Sequence, residues 1–265
     1  MIIDSHTHTG NVSGTVYTPE QLIQSMDEAG IEYSCIIAGK VTSDPHAHST
    51  EETVTIAQKY SRLKAIGNVD YDTLDTQQIE RLTTLLKEEK IVGVKFYPGY
   101  QNFYPDDKKM YPLYEYCQAN KKPVIFHTGM LAIGYPGLLK QSHPLNIDDL
   151  ANVFPDLRIV IAHVGNPWII DCGAVMYKNK NVYADFSALA PEFQSISPAD
   201  SADVIKQLTN LRTFLGNFNK CLFGTDWPLY SQREYVSITQ QLPLAEEEKR
   251  LVFSQNAKEI FNLKI

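Results

Sequence analysis

Short β-rich runs recur along this chain about every 30 residues, the length that one strand, its crossover helix and two loops occupy. They are Ile2 to His8, Tyr33 to Gly39, Ala65 to Asp70, Val92 to Pro98, Val124 to Thr128, Arg158 to Val164, Val182 to Ser187 and Cys221 to Asp226. Between them stand amphipathic segments with apolar residues three and four apart, among them Pro19 to Ala29, Thr50 to Tyr60, Thr76 to Glu89, Leu113 to Asn120 and Ser201 to Phe214. Two of these begin with readable caps. Thr18-Pro19-Glu20 sets a hydroxyl before a proline at the first helical position, and Ser49-Thr50-Glu51-Glu52 sets a cap before acids that the helix dipole favours. Eight strands alternating with helices predict an α/β fold, a (β/α)8 TIM barrel. An open doubly wound sheet shows the same alternation, but the count favours the barrel and no glycine-rich phosphate fingerprint follows the first run.

With 265 residues, 43% of them hydrophobic, and no linker or low-complexity stretch, residues 1–265 are expected to form one domain. The last segment, Ala245 to Leu263, reads as one or two helices broken near Asn256 that close against the outside of the barrel. The formal charge of −7, without a run of Lys or Arg, argues against nucleic acid or an anionic membrane surface and points to a small-molecule substrate. Cys35, Cys117, Cys172 and Cys221 are scattered singly, so reduced thiols and a cytoplasmic location are expected. Neither a targeting segment nor a window long and apolar enough to span a membrane is read in the sequence.

The first run ends in His6-Thr7-His8. On a strand both imidazoles face one side, because side chains alternate with period two. Such a pair is half of a divalent transition-metal site, which a third nitrogen and a carboxylate would complete. A TIM barrel gathers its active site at the C-terminal ends of the strands, and there stand Lys95, His127, His163 and Asp226, on the fourth, fifth, sixth and eighth runs. A single histidine near a strand end is ordinarily a satisfied core or surface group; the joint pattern is what carries weight. Burying several such groups unpartnered costs on the order of 1 to 3 kcal/mol each, more for a charge, and a shared metal removes that conflict.

The pieces Asp4-Ser5-His6-Thr7-His8, Gly93-Val94-Lys95, Ile125-Phe126-His127, Ile161-Ala162-His163-Val164-Gly165, Gly224-Thr225-Asp226-Trp227-Pro228 and Asn256-Ala257 appear in this order over essentially the whole chain. Together they resemble the amidohydrolase superfamily, in particular the amidohydrolase-related branch that includes aminocarboxymuconate-semialdehyde decarboxylase. The resemblance implies that His6, His8, His127 and Asp226 hold one divalent metal ion, with zinc expected, that His163 stands beside it, and that homodimers are common. It implies either of two reactions. A metal-dependent hydrolase would use a water whose pKa the metal lowers toward about 7, with Asp226 or His163 moving the proton, against a small amide, lactone or ester. A metal-dependent decarboxylase would act on a small unsaturated or aromatic acid. A third reading from another class is a barrel that binds a ligand without turnover.

Lys95 resembles the lysine that hydrolytic relatives carbamylate to bridge two ions, whereas in the decarboxylase branch one ion is the usual pattern; Lys95 could be a ligand, a cation that receives a substrate carboxylate, or a base. One metal per chain is expected, with Lys95 as a substrate-binding residue. His46 and His48, in the polar segment Ser43 to Ser49, are read as loop histidines outside the metal site, placed where they could touch substrate. Tyr97, Tyr100, Phe103 and Tyr104, with Trp168 and Trp227, could line a pocket for a planar acid or simply pack. Asp185 is a candidate partner for a ligand histidine, or a turn acid at a strand end.

Overall fold

The computed structural model describes every residue except Thr42, Ser43, Pro45 and Gln194. After β1 (Ile3–Thr7) a hairpin of β2 (Gly10–Val12) and β3 (Thr15–Tyr17) precedes α1 (Pro19–Ala29). Strand and helix then alternate through β4 (Tyr33–Ile37), α2 (Thr50–Lys59), β5 (Leu63–Asn68), α3 (Thr76–Lys87), β6 (Val94–Phe96), α4 (Tyr111–Ala119) and β7 (Val124–Phe126). The second half continues with α5 (Asn146–Val153), β8 (Ile159–Ile161), α6 (Ile169–Lys178), β9 (Val182–Asp185), α7 (Pro198–Leu215), β10 (Cys221–Leu222) and α8 (Gln232–Gln241).

All the strands except the hairpin form one parallel sheet in the order β1-β4-β5-β6-β7-β8-β9-β10. Its two edges meet, because Ser5 N–H donates to the Phe223 carbonyl at 2.9 Å, Asp226 N–H to His6 at 2.8 Å and His8 N–H to Trp227 at 2.7 Å. The chain is therefore a (β/α)8 barrel, as the alternation predicts. Asp4 pins the same seam by accepting from Thr225 Oγ1 at 2.6 Å and Gln232 Nε2 at 2.8 Å.

The strands read as nearly continuous apolar runs because both of their faces are buried. Val94, Phe96, Val124, Phe126, Ile159 and Ile161 pack outward with the apolar stripes of the helices, while Ile3, Cys35, Ile37, Ile66, Ile125, Val160 and Leu222 fill the interior. Thr18 and Ser49 cap α1 and α2 as expected, each in a reciprocal box with Gln21 or Glu52. The hairpin falls outside the strand pattern of the sequence, since its runs are too short to show a period. Its turn rests on two left-handed residues, Ser13 (φ 50°) and Gly14 (φ 84°).

The C-terminal segment corrects an expectation. α9 (Glu246–Arg250), a π turn over Leu251–Gln255 and α10 (Asn256–Ile260) follow one another with helical backbone at Asn256 (φ −61°, ψ −41°), so nothing breaks there. Ala257, Ile260 and Phe261 pack with Ile3, Ile125, Val160 and Leu222 inside the barrel. The segment thus closes the N-terminal mouth instead of lying against the outside. At that end the inward side chains are apolar and would otherwise meet water. The four cysteines are buried free thiols, and among the described residues no helix is long and apolar enough to cross a membrane.

Candidate metal centre

At the opposite mouth the apolar lining gives way to imidazoles, carboxylates and one ammonium, all at or just beyond the strand ends. His6 lies on β1 and His8 one residue past it, Lys95 lies on β6, His127 directly follows β7, His163 occupies a tight turn after β8, and Asp226 follows β10. His163 (φ 62°), Val164 (φ 41°) and Asp226 (φ 65°) hold left-handed backbone without being glycine. Strain of that kind costs of order 1–3 kcal/mol per residue and persists only where its surroundings over-determine it. Gly129 lets the loop after His127 press against the His163 turn, for a Cβ there would lie 2.3 Å from the Asn166 carbonyl oxygen. The ring centres of His127 and His163 are thereby 5.1 Å apart.

Every imidazole has one nitrogen committed to an acceptor or to a hydroxyl whose own proton is spent. His6 Nδ1 donates to Asp185 Oδ2 at 2.9 Å, His8 Nδ1 to the Ile37 carbonyl at 3.2 Å and His127 Nε2 to the Met130 carbonyl at 3.1 Å. His163 Nδ1 donates at 2.7 Å to Ser187 Oγ, which itself donates to Asp185 Oδ1. In neutral rings the remaining nitrogens, Nε2 of His6, His8 and His163 and Nδ1 of His127, are therefore lone pairs. Asp226 Oδ1 stands 3.2 Å from His8 Nε2 and 3.6 Å from His6 Nε2, and one ligand atom each from His6, His163 and Asp226 lie within 4.8 Å of one another. Acceptors facing acceptors repel unless a cation joins them. Imidazole nitrogens with one carboxylate are the donor set for zinc or another borderline divalent ion, so the residues fit the metal.

The electrostatics agree. Burial lowers the pKa of His6, with Lys95 adding to the effect, and burial pushes His163 down to about 3. His127 falls well below its ordinary value through burial and through His163 and Lys95. Burial alone would raise the Asp185 carboxyl, but His6, which also hydrogen-bonds it through Nδ1, holds it well below the usual range. Neutral rings and ionised carboxylates are the forms that bind metal. Lys95 is buried with Nζ 3.1 Å from His6 Nε2, and burial lowers it to about 8 against the pull of Asp185 and Asp226.

The tightest trio contains His163, which the resemblance placed beside the ion, while His8 joins through Asp226 and His127 borders the trio through its ring. Asp185 does bond a candidate ligand, His6. Ser187 was missed, although Asp185-Phe186-Ser187 has the period-two spacing that sets both polar side chains on one face. His48 instead shares a hydrogen bond with Thr9 Oγ1 at 3.2 Å, and His46 is exposed; Ser43 and Pro45 of that segment lie outside the described residues. Tyr100 stands edge-on to His127 at 4.7 Å, and Lys95 Nζ lies 5.3 Å from the Tyr97 ring. Phe103 stacks on Tyr71, Tyr104 is exposed, Trp168 meets His143 and Trp227 meets Tyr17.

The family model described as Amidohydrolase matches residues 3–263. No curated protein matches the chain. Among solved structures it is similar to an amidohydrolase from Burkholderia multivorans with bound zinc (TM-score 0.77, 18% identity, 99% of each chain covered). It is also similar to a probable 2-pyrone-4,6-dicarboxylic acid hydrolase from Acinetobacter baumannii with citric acid bound (TM-score 0.70, 18% identity, 99% of each chain). A third is a dihydroxybenzoic acid decarboxylase from Polaromonas sp. JS666 with bound manganese and the inhibitor 2-nitroresorcinol (TM-score 0.72, 16% identity, 100% of this chain and 97% of that one). At these identities the likeness carries the fold.

Proposed function

Because the chain belongs to the amidohydrolase family, we propose that it is a metal-dependent hydrolase of a small amide, lactone or ester, with one divalent ion held by His6, His8, His127 and Asp226. The observation that carries this reading is the convergence of imidazole lone pairs on Asp226, with Oδ1 3.2 Å from His8 and 3.6 Å from His6. A bound divalent ion supplies Lewis acidity there, polarising a carbonyl and making water acidic enough to react near neutral pH. His163, neutral and fixed through Nδ1 by Ser187, presents Nε2 as the group that takes a proton from the attacking water and returns it to the leaving group. Asp226 is the second candidate for that transfer, and Lys95 is the cation that orients the substrate's oxygen.

Decarboxylation of a small unsaturated or aromatic acid is the second reading, favoured by the buried Lys95 ammonium and by the likeness to a dihydroxybenzoic acid decarboxylase. His163 Nε2, a lone pair in the neutral ring, would then relay a proton taken from water to the carbon that loses carbon dioxide. Zinc is supported by the zinc-bound relative and manganese by the decarboxylase. The test is one panel of lactones, esters and amides followed by ring opening or acid release, and one of unsaturated and aromatic acids followed by carbon dioxide release, each with zinc or manganese. Turnover in the first alone supports hydrolysis. Turnover in the second alone replaces it, and tight binding with no product in either favours a non-catalytic barrel.

A further inference from the structure

Strict alternation along β1 would set Asp4, His6 and His8 on one face. They do not share it. Ile3 points into the barrel with Ile37 and Leu222, whereas Asp4 meets α8 on the outer side, where Gln232 Nε2 donates to its Oδ2 at 2.8 Å. Between Asp4, paired with Ser34, and Thr7, paired with Ile36, β1 has two residues, Ser5 and His6, against the single Cys35 of β4. A bulge of this kind re-aims the side chains beyond it, and here it turns His6 into the metal mouth. Gly224 leaves room for the bulge, because a Cβ there would lie 3.1 Å from both His6 Cβ and Ser5 Oγ.

The buried Asp4 carboxylate holds backbone on both sides of the closing seam. Its Oδ1 accepts from the His6 N–H at 3.2 Å, inside the bulge, and from the Thr225 N–H at 3.1 Å, directly before the left-handed Asp226. Its Oδ2 accepts from Thr225 Oγ1 at 2.6 Å, and that hydroxyl oxygen accepts in turn from the Trp227 N–H at 3.1 Å, directly after Asp226. We propose that Asp4 is a positioning residue for the metal centre. It fixes the bulge that aims His6 and, with Thr225, the strained turn that presents Asp226, and so sets the separation of these two ligands. Asp4 itself faces the helix layer and binds no ion. This rests on the metal-dependent reading above.

The experiment measures zinc affinity, by competition with a chromophoric chelator, in wild type, Asp4→Ala, Thr225→Val, Asp4→Asn and Phe261→Ala, and takes the visible spectrum of each cobalt-loaded protein as a report of ligand geometry. In Asp4→Asn one oxygen remains for both N–H groups, and the amide can donate to Thr225 Oγ1 and, once the Gln232 amide turns over, to Gln232 Oε1, which has no partner among the described residues. The expected result is a loss of about 10- to 100-fold in Asp4→Ala and about tenfold in Thr225→Val, with altered cobalt bands in both, against affinity within about threefold and unaltered bands in Asp4→Asn. Phe261→Ala, destabilised at the opposite mouth, should bind zinc as wild type does, which separates lost stability from lost aim. Unchanged affinity and bands in Asp4→Ala, or in Thr225→Val where Asp4→Ala does not fold, overturns the inference alone, and so does a loss in Asp4→Asn or Phe261→Ala that matches theirs. Wild type that takes up no metal ion removes the metal-dependent reading, and this inference with it.

Discussion

Asp185 Oδ2 accepts the Nδ1 proton of His6 at 2.9 Å, which leaves the His6 Nε2 lone pair aimed at Asp226 and Lys95. Its other oxygen accepts from the His163 N–H at 3.0 Å and from Ser187, so one buried carboxylate sets the tautomer and direction of two rings. Partners of this kind typically contribute 10–100-fold to metal affinity. Asp185→Asn is therefore expected to weaken zinc affinity by about 10- to 100-fold, measured by competition with a chromophoric chelator. An unchanged affinity would mean that His6 does not bind the ion through Nε2.

Removing a ligand should remove the ion. His6→Ala and Asp226→Ala are expected to purify without metal, against one equivalent in wild type by elemental analysis. Two equivalents in wild type would instead make Lys95 a bridging carbamate. Chelation should lower thermal stability, because free ion at 100 times its Kd stabilises the folded state by about 2.7 kcal/mol.

His163→Gln separates binding from proton transfer. It is expected to retain most of the metal and to lose activity by roughly a hundredfold, the usual weight of general acid or base assistance. Loss of the ion together with activity would move His163 into the ligand set, where its 4.8 Å grouping with His6 and Asp226 would place it.

Phe261→Ala tests the plug at the N-terminal mouth. Phe261 is 3% exposed among the inward strand residues, and truncating a buried phenylalanine costs about 3–5 kcal/mol. A denaturation midpoint that hardly moves would place the segment's packing outside the barrel's cooperative core.

Asp148 gives a pH test away from the site. Burial raises its carboxyl, but Lys178, which donates to both oxygens at 2.8 and 2.6 Å, and Asn179 outweigh this and leave it below its ordinary 3.8. A carboxyl depressed in the folded state stabilises fully above its unfolded value and loses that contribution as pH falls through the folded value. Wild type should exceed Asp148→Asn in stability by up to about 1 kcal/mol at pH 6, and the gap should close as the pH drops below 3.8 in chemical denaturation.

The period of β-rich runs, the caps at Thr18 and Ser49, and the polar residues at the ends of apolar runs were legible because each depends on a few neighbouring residues and on alternation along one strand. They led to the barrel, and they named His6, His8, Lys95, His127, His163 and Asp226 before any contact was known. What the sequence could not carry depends on residues far apart along the chain meeting in space. Tertiary structure alone placed Ala257, Ile260 and Phe261 inside the barrel, because an apolar helix face reads the same whichever hydrophobic surface it covers. It alone joined Asp185 to His6 and Ser187 to His163. A hydrogen bond's direction, and so which nitrogen of each ring is free, is decided by the groups that closure of the barrel brings within about 3 Å of it.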